Sequence, residues 1–423
     1  MLKLLPAEPP PGPARPEFWR SPLRGRWLTA FLGALLLPGL VVVAATGLLS
    51  HAAYQPDLPH NALIPVDADV GLFVFSWPTH PSWLYAATQG THVTLGIVLV
   101  PLVLAKLWSV APRLFGWPPL RNAGHALERL SLIGVVGGVL FEMATGILNA
   151  QLDYSFGFRF ITAHYYGALV FIASLALHVG LKMPVVLRGF REHGVLRPLH
   201  RSLAETVAEP HEPDGLAPSE PAAPTVSRRG LLGLAGAAGG VLFVMTAGQS
   251  IGGPLRELAL LAPRGGESGD GPNGFLVNKT AAAAGIRSEQ IDRWALQLGG
   301  PRSRVLSRDA LLALPLTTAE LPIACVEGWS TTQTWTGVRL GDLAALAGAP
   351  DASALLVTSL QAHGALREVS LNPAQIHDER SLLALRVNGA DLSLDHGFPA
   401  RIIVPALPGV HNTKWVAALE FAA

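Results

Sequence analysis

Five apolar stretches, residues 27–49, 84–110, 130–152, 161–187 and 230–251, are each long enough to cross a hydrocarbon layer roughly 30 Å thick. In lipid a backbone must satisfy its own N–H and C=O groups, so such stretches are read as α-helices. Composition agrees, with 50% apolar residues, 14% charged residues and a mean hydropathy of +0.37. The apolar excess lies before residue 252. A formal net charge of +1 gives no argument for a nucleic-acid partner.

Loop charges set the orientation. Arg15, Arg20, Arg24 and Arg26 precede the first stretch, Lys106, Arg113, Arg121 and Arg129 lie between the second and third, and Lys182, Arg188, Arg191 and Arg197 follow the fourth. By the positive-inside rule these sides are cytoplasmic. Residues 50–82 hold Asp57, Asp67 and Asp69 but no Lys or Arg, and the turn around Asp153 holds only Arg159, so both are assigned outside. Trp77, Trp83, Tyr85, Tyr165 and Tyr166 fall where an outer aromatic belt is expected. Five spans put the chain ends on opposite sides. A multi-pass protein of the cell membrane with an extracytoplasmic C-terminal part is therefore expected.

The chain divides accordingly. Residues 1–26 read as a cytoplasmic tail, 27–191 as a four-helix transmembrane bundle, and 192–227, rich in Pro, Ala, Glu and Ser and containing His211, Glu212, Pro213 and Asp214, as a disordered cytoplasmic linker. Residues 228–251 form a fifth, anchoring helix opened by Ser227-Arg228-Arg229-Gly230-Leu231-Leu232. That opening is either a pair of arginines flanking a membrane helix or a motif resembling a twin-arginine export signal, with Leu231 where Phe is usual and Gly233 where Lys is common. A connector, 252–273, leads to a domain at 274–423, where short β-type runs (354–358, 401–404) alternate with helical ones (307–314, 340–347).

Cys325 is the only cysteine of the 423 residues, so it has no disulfide partner within the chain. Its roles narrow to buried filler, nucleophile or metal ligand. A soft thiolate suits a transition metal. Further on, His396, Arg401 and Lys414 place three potential cations within about twenty residues, suited to an anion such as a phosphate. Trp329, Trp335 and Trp415 stand near these positions, where core packing explains them equally well.

Ala324-Cys325-Val326-Glu327-Gly328-Trp329-Ser330, followed by Trp335-Thr336-Gly337-Val338, resembles the cofactor-cysteine segment of the sulfite oxidase superfamily, in particular the periplasmic methionine-sulfoxide reductase type. Asp395-His396-Gly397-Phe398-Pro399-Ala400-Arg401 and Asn412-Thr413-Lys414-Trp415 resemble its pterin-binding segments. The resemblance covers roughly 274–423 and implies a mixed α+β sulfite-oxidase fold holding a molybdenum-molybdopterin cofactor. It implies Cys325 as molybdenum ligand, Glu327 and Trp329 as its catalytic neighbours, and Asn278, His396, Arg401 and Lys414 as cofactor-binding residues. Pro408-Gly409-Val410 would let backbone amides approach the ligand, while Lys279 reads as a surface ion pair. Sulfite oxidases carry an arginine pair after the metal cysteine; here Val326-Glu327-Gly328-Trp329 stands instead, which argues against sulfite and for a reductase. The chain stops at Ala423, just past the pterin motif, so an added dimerisation domain is not expected.

Ionisable residues inside spans are costly and usually functional. They are His92, Glu142, His164 and His178, with Lys106 and Lys182 near the inner surface. His92 and His164, both near the outer boundary, suit the two axial positions of one b-type haem, with His51 or His60 as substitutes. His178 lies fourteen residues after His164, on one helix face about 21 Å deeper, as in diheme cytochrome b helices. The counterpart of His178 after His92 is Lys106, so a second haem needs another ligand such as His125. Interhelical hydrogen bonding is the alternative for all of them, and for Glu142 so is proton carriage. The combined expectation is a membrane-bound molybdenum oxidoreductase that exchanges electrons with a quinone pool or other carrier and acts on a small-molecule substrate. Its rivals are a non-enzymatic membrane receptor or assembly factor, or a molybdoenzyme whose helices only anchor it.

Overall fold

The computed structural model describes residues 8–64, 69–119, 122–153, 155–211, 215–264, 269–364 and 366–423. Asp67, Arg121 and residues 212–214 and 265–268 of the sequence reading lie outside the described residues. The chain forms two compact units. The first comprises Met1–Ala44, Leu95–Asn149 and Asp153–Phe243, the second Ala45–Thr94, Ala150–Leu152 and Val244–Ala423.

The apolar stretches are helical: α1 (Arg26–Ala53), α2 (Leu84–Val98), α3 (Val100–Leu114), α4 (Ala123–Ala150), α5 (Phe160–His193) and α6 (Arg228–Ile251). Among the described residues, four of them are long and apolar enough to cross a membrane, or five spans if α2 and α3, bent by 43°, count as one. The second stretch is thus broken where the sequence reads as continuous. Pro101, at the second position of α3, has no N–H to give and crowds the carbonyl four residues back, so the helix breaks at Leu99.

In the first unit, Leu36, Leu99, Val103, Val139 and Phe171 form an apolar cluster. Small residues allow the close approach of α4 and α5: a Cβ on Gly134 would stand 2.6 Å from Ser174 Oγ, and one on Gly138 3.0 Å from the Phe171 ring. Arg129 covers the end of α3, donating to the Leu114 carbonyl at 2.8 Å and the Gly116 carbonyl at 3.2 Å, a good use of a cation at a helix C-terminus. Among the described residues of 192–227, Arg197–Leu199 form a short turn. Glu209 from this segment accepts the Trp27 N–H, and Arg228, 2% exposed, donates to the carbonyls of Pro22 and Val207. Arg229 is exposed.

The second unit contains two sheets. Its strands are β1 (Leu296–Gly299), β2 (Arg304–Leu306), β3 (Thr317–Ala324), β4 (Ser330–Arg339), β5 (Ala354–Ser359), β6 (Glu368–Leu371), β7 (Leu382–Val387), β8 (Ala390–Asp391), β9 (Arg401–Ile403) and β10 (Val416–Ala422). One sheet has the order β2-β1-β10-β5-β6, with β1 and β10 parallel; the other runs β3-β4-β7-β8, with β9 also on β7. Strand β7, Leu-Leu-Ala-Leu-Arg-Val, is nearly continuous in apolar residues because it is buried on both faces. Gly337 sits at a register shift between β4 and β7, where a Cβ would fall 2.0 Å from the Leu383 carbonyl oxygen.

The main core includes Leu296, Leu355, Leu383, Ile402 and Val416, and with them Ala52, Ala53, Tyr54, Trp77 and Tyr85. Trp77 and Tyr85, read from sequence as belt residues, are each 1% exposed. The reason is local: the Trp77 indole N–H donates to the Ala406 carbonyl at 2.8 Å, so the ring is held in protein. Trp83, 58% exposed, remains available to a belt.

Candidate functional site

Strands β3 and β4 pair antiparallel down to Ala324 and Ser330, and the five residues between them make a tight turn headed by Cys325. The Cys325 N–H donates to the Trp329 carbonyl at 2.9 Å, and the Gly328 N–H donates back to the Cys325 carbonyl at 3.0 Å. Gly328 has φ +93°, which an L side chain resists, and a Cβ there would lie 2.9 Å from Val93 Cβ. The turn therefore depends on this glycine.

Cys325 is 4% exposed. Burial, together with the Glu327 carboxylate, pushes its thiol up to about 12, while the amides of Glu327 and Val326 and the Arg264 guanidinium act in the opposite sense. Without a cation the sulfur keeps its proton. A bound metal would displace it, with those amides already aimed at the anion.

Glu327, 3% exposed, receives Arg264 Nε at 2.9 Å and the Trp329 indole N–H at 2.9 Å. Arg264 also donates to the Asn278 carbonyl at 3.1 Å. Three of the residues singled out in the sequence, Glu327, Trp329 and Asn278, are thus gathered around a fourth, Arg264, that was not. A single arginine before a Gly-rich connector carries no local signal for this role.

The remaining candidates form a second cluster. His396 closes the short turn Leu394–His396; its Nε2–H donates to the Phe275 carbonyl at 3.0 Å and its Nδ1 accepts from the Ser393 hydroxyl at 2.8 Å. Burial and the neighbouring Arg401 hold it neutral, with a pKa down at about 4. Arg401, 2% exposed, donates to the carbonyls of His396 (3.0 Å) and Asn412 (3.1 Å) and lies 5.1 Å from the Trp335 ring centre. Its Nε has no partner, and burial pulls its pKa down to about 9. Lys414 donates to the carbonyls of Lys279 (2.6 Å) and Asp395 (2.9 Å), and burial followed by Arg401 pushes its pKa well down. Gly397, φ +108°, lets the two cations converge, since a Cβ there would be 3.1 Å from the Cβ atoms of both.

Two expectations need correcting. Lys279 hydrogen-bonds Gln361 Oε1 at 2.8 Å instead of forming an ion pair. Gly409 brings its backbone against strand β3, donating to the Ala324 carbonyl at 2.7 Å, so its small size serves chain packing beside Cys325. The loop it belongs to contains His411, which was missed: it is 0% exposed, both ring nitrogens are without partners, and burial pulls its pKa to about 3. Asn412 Nδ2 is also unpartnered.

The histidines of the apolar helices are divided between the units, with His92 in the second and His164 and His178 in the first. His164 Nδ1 lies 3.1 Å from Glu142 Oε2 and 2.9 Å from Thr145 Oγ1. His92 and His164 each face a glycine: a Cβ on Gly47 would stand 2.7 Å from His92 Cε1, and one on Gly146 3.2 Å from His164 Cε1. His178 Nδ1 is buried without a partner. Among the described residues, no group of three or more His, Cys, Asp or Glu side chains is arranged to hold a metal.

Residues 283–423 match the family described as the oxidoreductase molybdopterin binding domain. An uncharacterized oxidoreductase of Bacillus subtilis (strain 168), YuiH, is 32% identical over 136 residues, which are 31% of this chain and 67% of that protein. Mitochondrial sulfite oxidase of Drosophila melanogaster is 30% identical over 149 residues, 29% of this chain and 26% of that one. Among solved structures, the sulfane dehydrogenase SoxCD from Paracoccus pantotrophus matches at 26% identity and a TM-score of 0.29, covering 32% of this chain and 39% of that one. The chain thus spans about a quarter of the fly sulfite oxidase that it matches.

Proposed function

From the premise that the chain belongs to the molybdopterin-binding oxidoreductase family that includes sulfite oxidase, we propose a membrane-bound enzyme that moves an oxygen atom to or from a small substrate outside the membrane. The observation that carries it is Cys325: a single buried thiol at the head of a glycine-dependent turn.

The residues present fit the cofactor. Arg401 and Lys414 spend their hydrogen bonds on carbonyls and not on carboxylates, so the interior holds positive charge that an anionic group can neutralise. Arg401 Nε and Asn412 Nδ2 keep buried donors for it. Cys325 would ligate the metal, and Arg401, Lys414 and the backbone around Asn278 would hold the pterin. When bound, molybdenum-molybdopterin supplies two-electron oxygen-atom chemistry. The chain's own contribution is to exclude water, orient the sulfur through the turn and balance its charge through Arg264. Glu327 keeps Arg264 in place, which makes it a positioning residue.

For the helices we propose a haem-bearing bundle that exchanges electrons with a quinone-type carrier. His92 and His164 would hold one b-type haem, which would supply one-electron transfer. In support, metal-ligating histidines usually engage their second nitrogen with a carboxylate or hydroxyl, as His164 does with Glu142 and Thr145. His178 would serve a second haem. The positive-inside pattern supports an extracytoplasmic C-terminal domain, exported after folding through the Arg228-Arg229 motif.

Molybdenum and haem content measured on one purified full-length sample tests the reading. Molybdenum near one per chain, lost in Cys325→Ser, is expected. Protein from a cofactor-competent host that lacks molybdenum would sink the enzyme reading, and molybdenum without haem would leave the helices as an anchor.

A further inference from the structure

The second compact unit includes more than the sheets: it takes in residues 45–94, the end of α1 and the start of α2. Helix α2 is fastened to the cysteine turn, because Gln89 Nε2 donates to the Val326 carbonyl at 2.6 Å. Tyr85 lies one turn earlier on the same helix face, 1% exposed, with its hydroxyl turned to those of Tyr54 and Ser50. Tyr54, which follows α1, is 5% exposed and meets Tyr85 edge-on at 6.3 Å between ring centres. Its other neighbour is His411, also edge-on, at 5.1 Å. The chain then returns to the cysteine: Gly409, two residues before His411, is bonded to Ala324, and Ala324 precedes Cys325.

Buried polar atoms without partners are rare in folded proteins. Here both nitrogens of the His411 imidazole lack partners, in a group with two buried phenols beside the one thiol of the chain. None of these groups is explained by the pterin cluster, whose cations point their hydrogen bonds at other carbonyls.

We propose that Tyr54, Tyr85 and His411 form the substrate-facing wall of the Cys325 site, so that the outer ends of two membrane helices complete an oxidoreductase site otherwise built by the C-terminal sheets. The proposal rests on the reading of Cys325 as metal ligand. Burial keeps His411 neutral and raises the Tyr54 phenol, so the wall offers uncharged donors and one imidazole acceptor. Such a surface hydrogen-bonds the oxygen of a small polar molecule, or a water in its place, and gives an anion no counter-charge. The wall binds and orients; it transfers no group itself.

The test uses the full-length, detergent-solubilised holoprotein and the near-isosteric variants Tyr54→Phe, Tyr85→Phe and His411→Gln. Molybdenum and pterin content are measured first, and then the Mo(V) electron paramagnetic resonance spectrum of dithionite-titrated protein in H2O and in D2O. The expected result is unchanged cofactor content in the tyrosine variants, with shifted g-values and altered coupling to exchangeable protons in at least Tyr85→Phe. Spectra superimposable on wild type in all variants that retain the cofactor would overturn the wall. Wild-type protein without molybdenum would overturn the wall together with the ligand reading beneath it, which separates the two failures. If His411→Gln does not load cofactor, the tyrosine variants, each lacking one oxygen atom, still decide the question.

Discussion

Arg264 Nε and Glu327 Oε2 lie 2.9 Å apart, tying the connector to the turn that carries Cys325. The pair brings a positive charge to a turn whose own acid raises the thiol.

Glu327→Gln keeps an acceptor for the Trp329 indole but leaves Arg264 without its carboxylate. Because Arg264 is partly exposed, the loss should be about 2 kcal/mol, below that of a fully buried pair. Thermal unfolding of the full chain measures it. The same change removes the charge that raises Cys325, so the thiol of cofactor-free protein should titrate at lower pH, read from thiolate absorbance.

Gly328→Ala combines a left-handed backbone with a Cβ 2.9 Å from Val93. Left-handed strain and overpacking together should cost about 2–4 kcal/mol. Molybdenum content should fall along with stability, since the turn that presents the sulfur is the part displaced. A variant with normal melting temperature and full metal content would contradict this account of the turn.

Acid should destabilise the second unit early. His396 and His411 have folded pKa values of about 4 and about 3, below the ordinary histidine value of 6.5. Between those limits the unfolded chain binds more protons than the folded one, so stability is fully present above pH 6.5 and falls as pH drops below it. The slope is about 1.4 kcal/mol per pH unit for each histidine. Melting temperature against pH should therefore decline below 6.5 in wild type and decline less steeply in His411→Gln.

The haem reading predicts a Soret band in wild type that is lost in His92→Ala and in His164→Ala. Glu142→Gln, which alters the carboxylate 3.1 Å from His164, should keep the band and shift the midpoint potential. A colourless wild-type protein rules out the haem.

Replacing Arg228 and Arg229 together by lysine should strand the C-terminal domain on the cytoplasmic side, as protease protection in spheroplasts would show. Arg228 donates to the Pro22 and Val207 carbonyls in the folded chain, so a melting curve of the variant separates lost export from lost folding. Normal export refutes the motif.

The apolar stretches were legible as helices, and β5 and β9 as short apolar runs, because each is written as a local pattern. Cys325 was legible because it is alone, and Arg401 and Lys414 because they sit in recognisable segments. Other features had no such mark. The break at Leu99 hides in a stretch whose hydropathy is unbroken, and Trp77 and Tyr85 look like belt aromatics until the Ala406 carbonyl and the protein core claim them.

What the sequence alone determined, then, is where apolar and polar surface must go and which residue carries the one thiol. Tertiary structure decided what surrounds that thiol. Gln89 meets Val326 across 237 residues, and Tyr54 meets His411. No periodicity spans such distances, since hydrophobic patterning specifies a face and not its occupant. Only closure of the core brings a glutamine, two phenols and an imidazole to one thiol, and their cost of burial is what marks them.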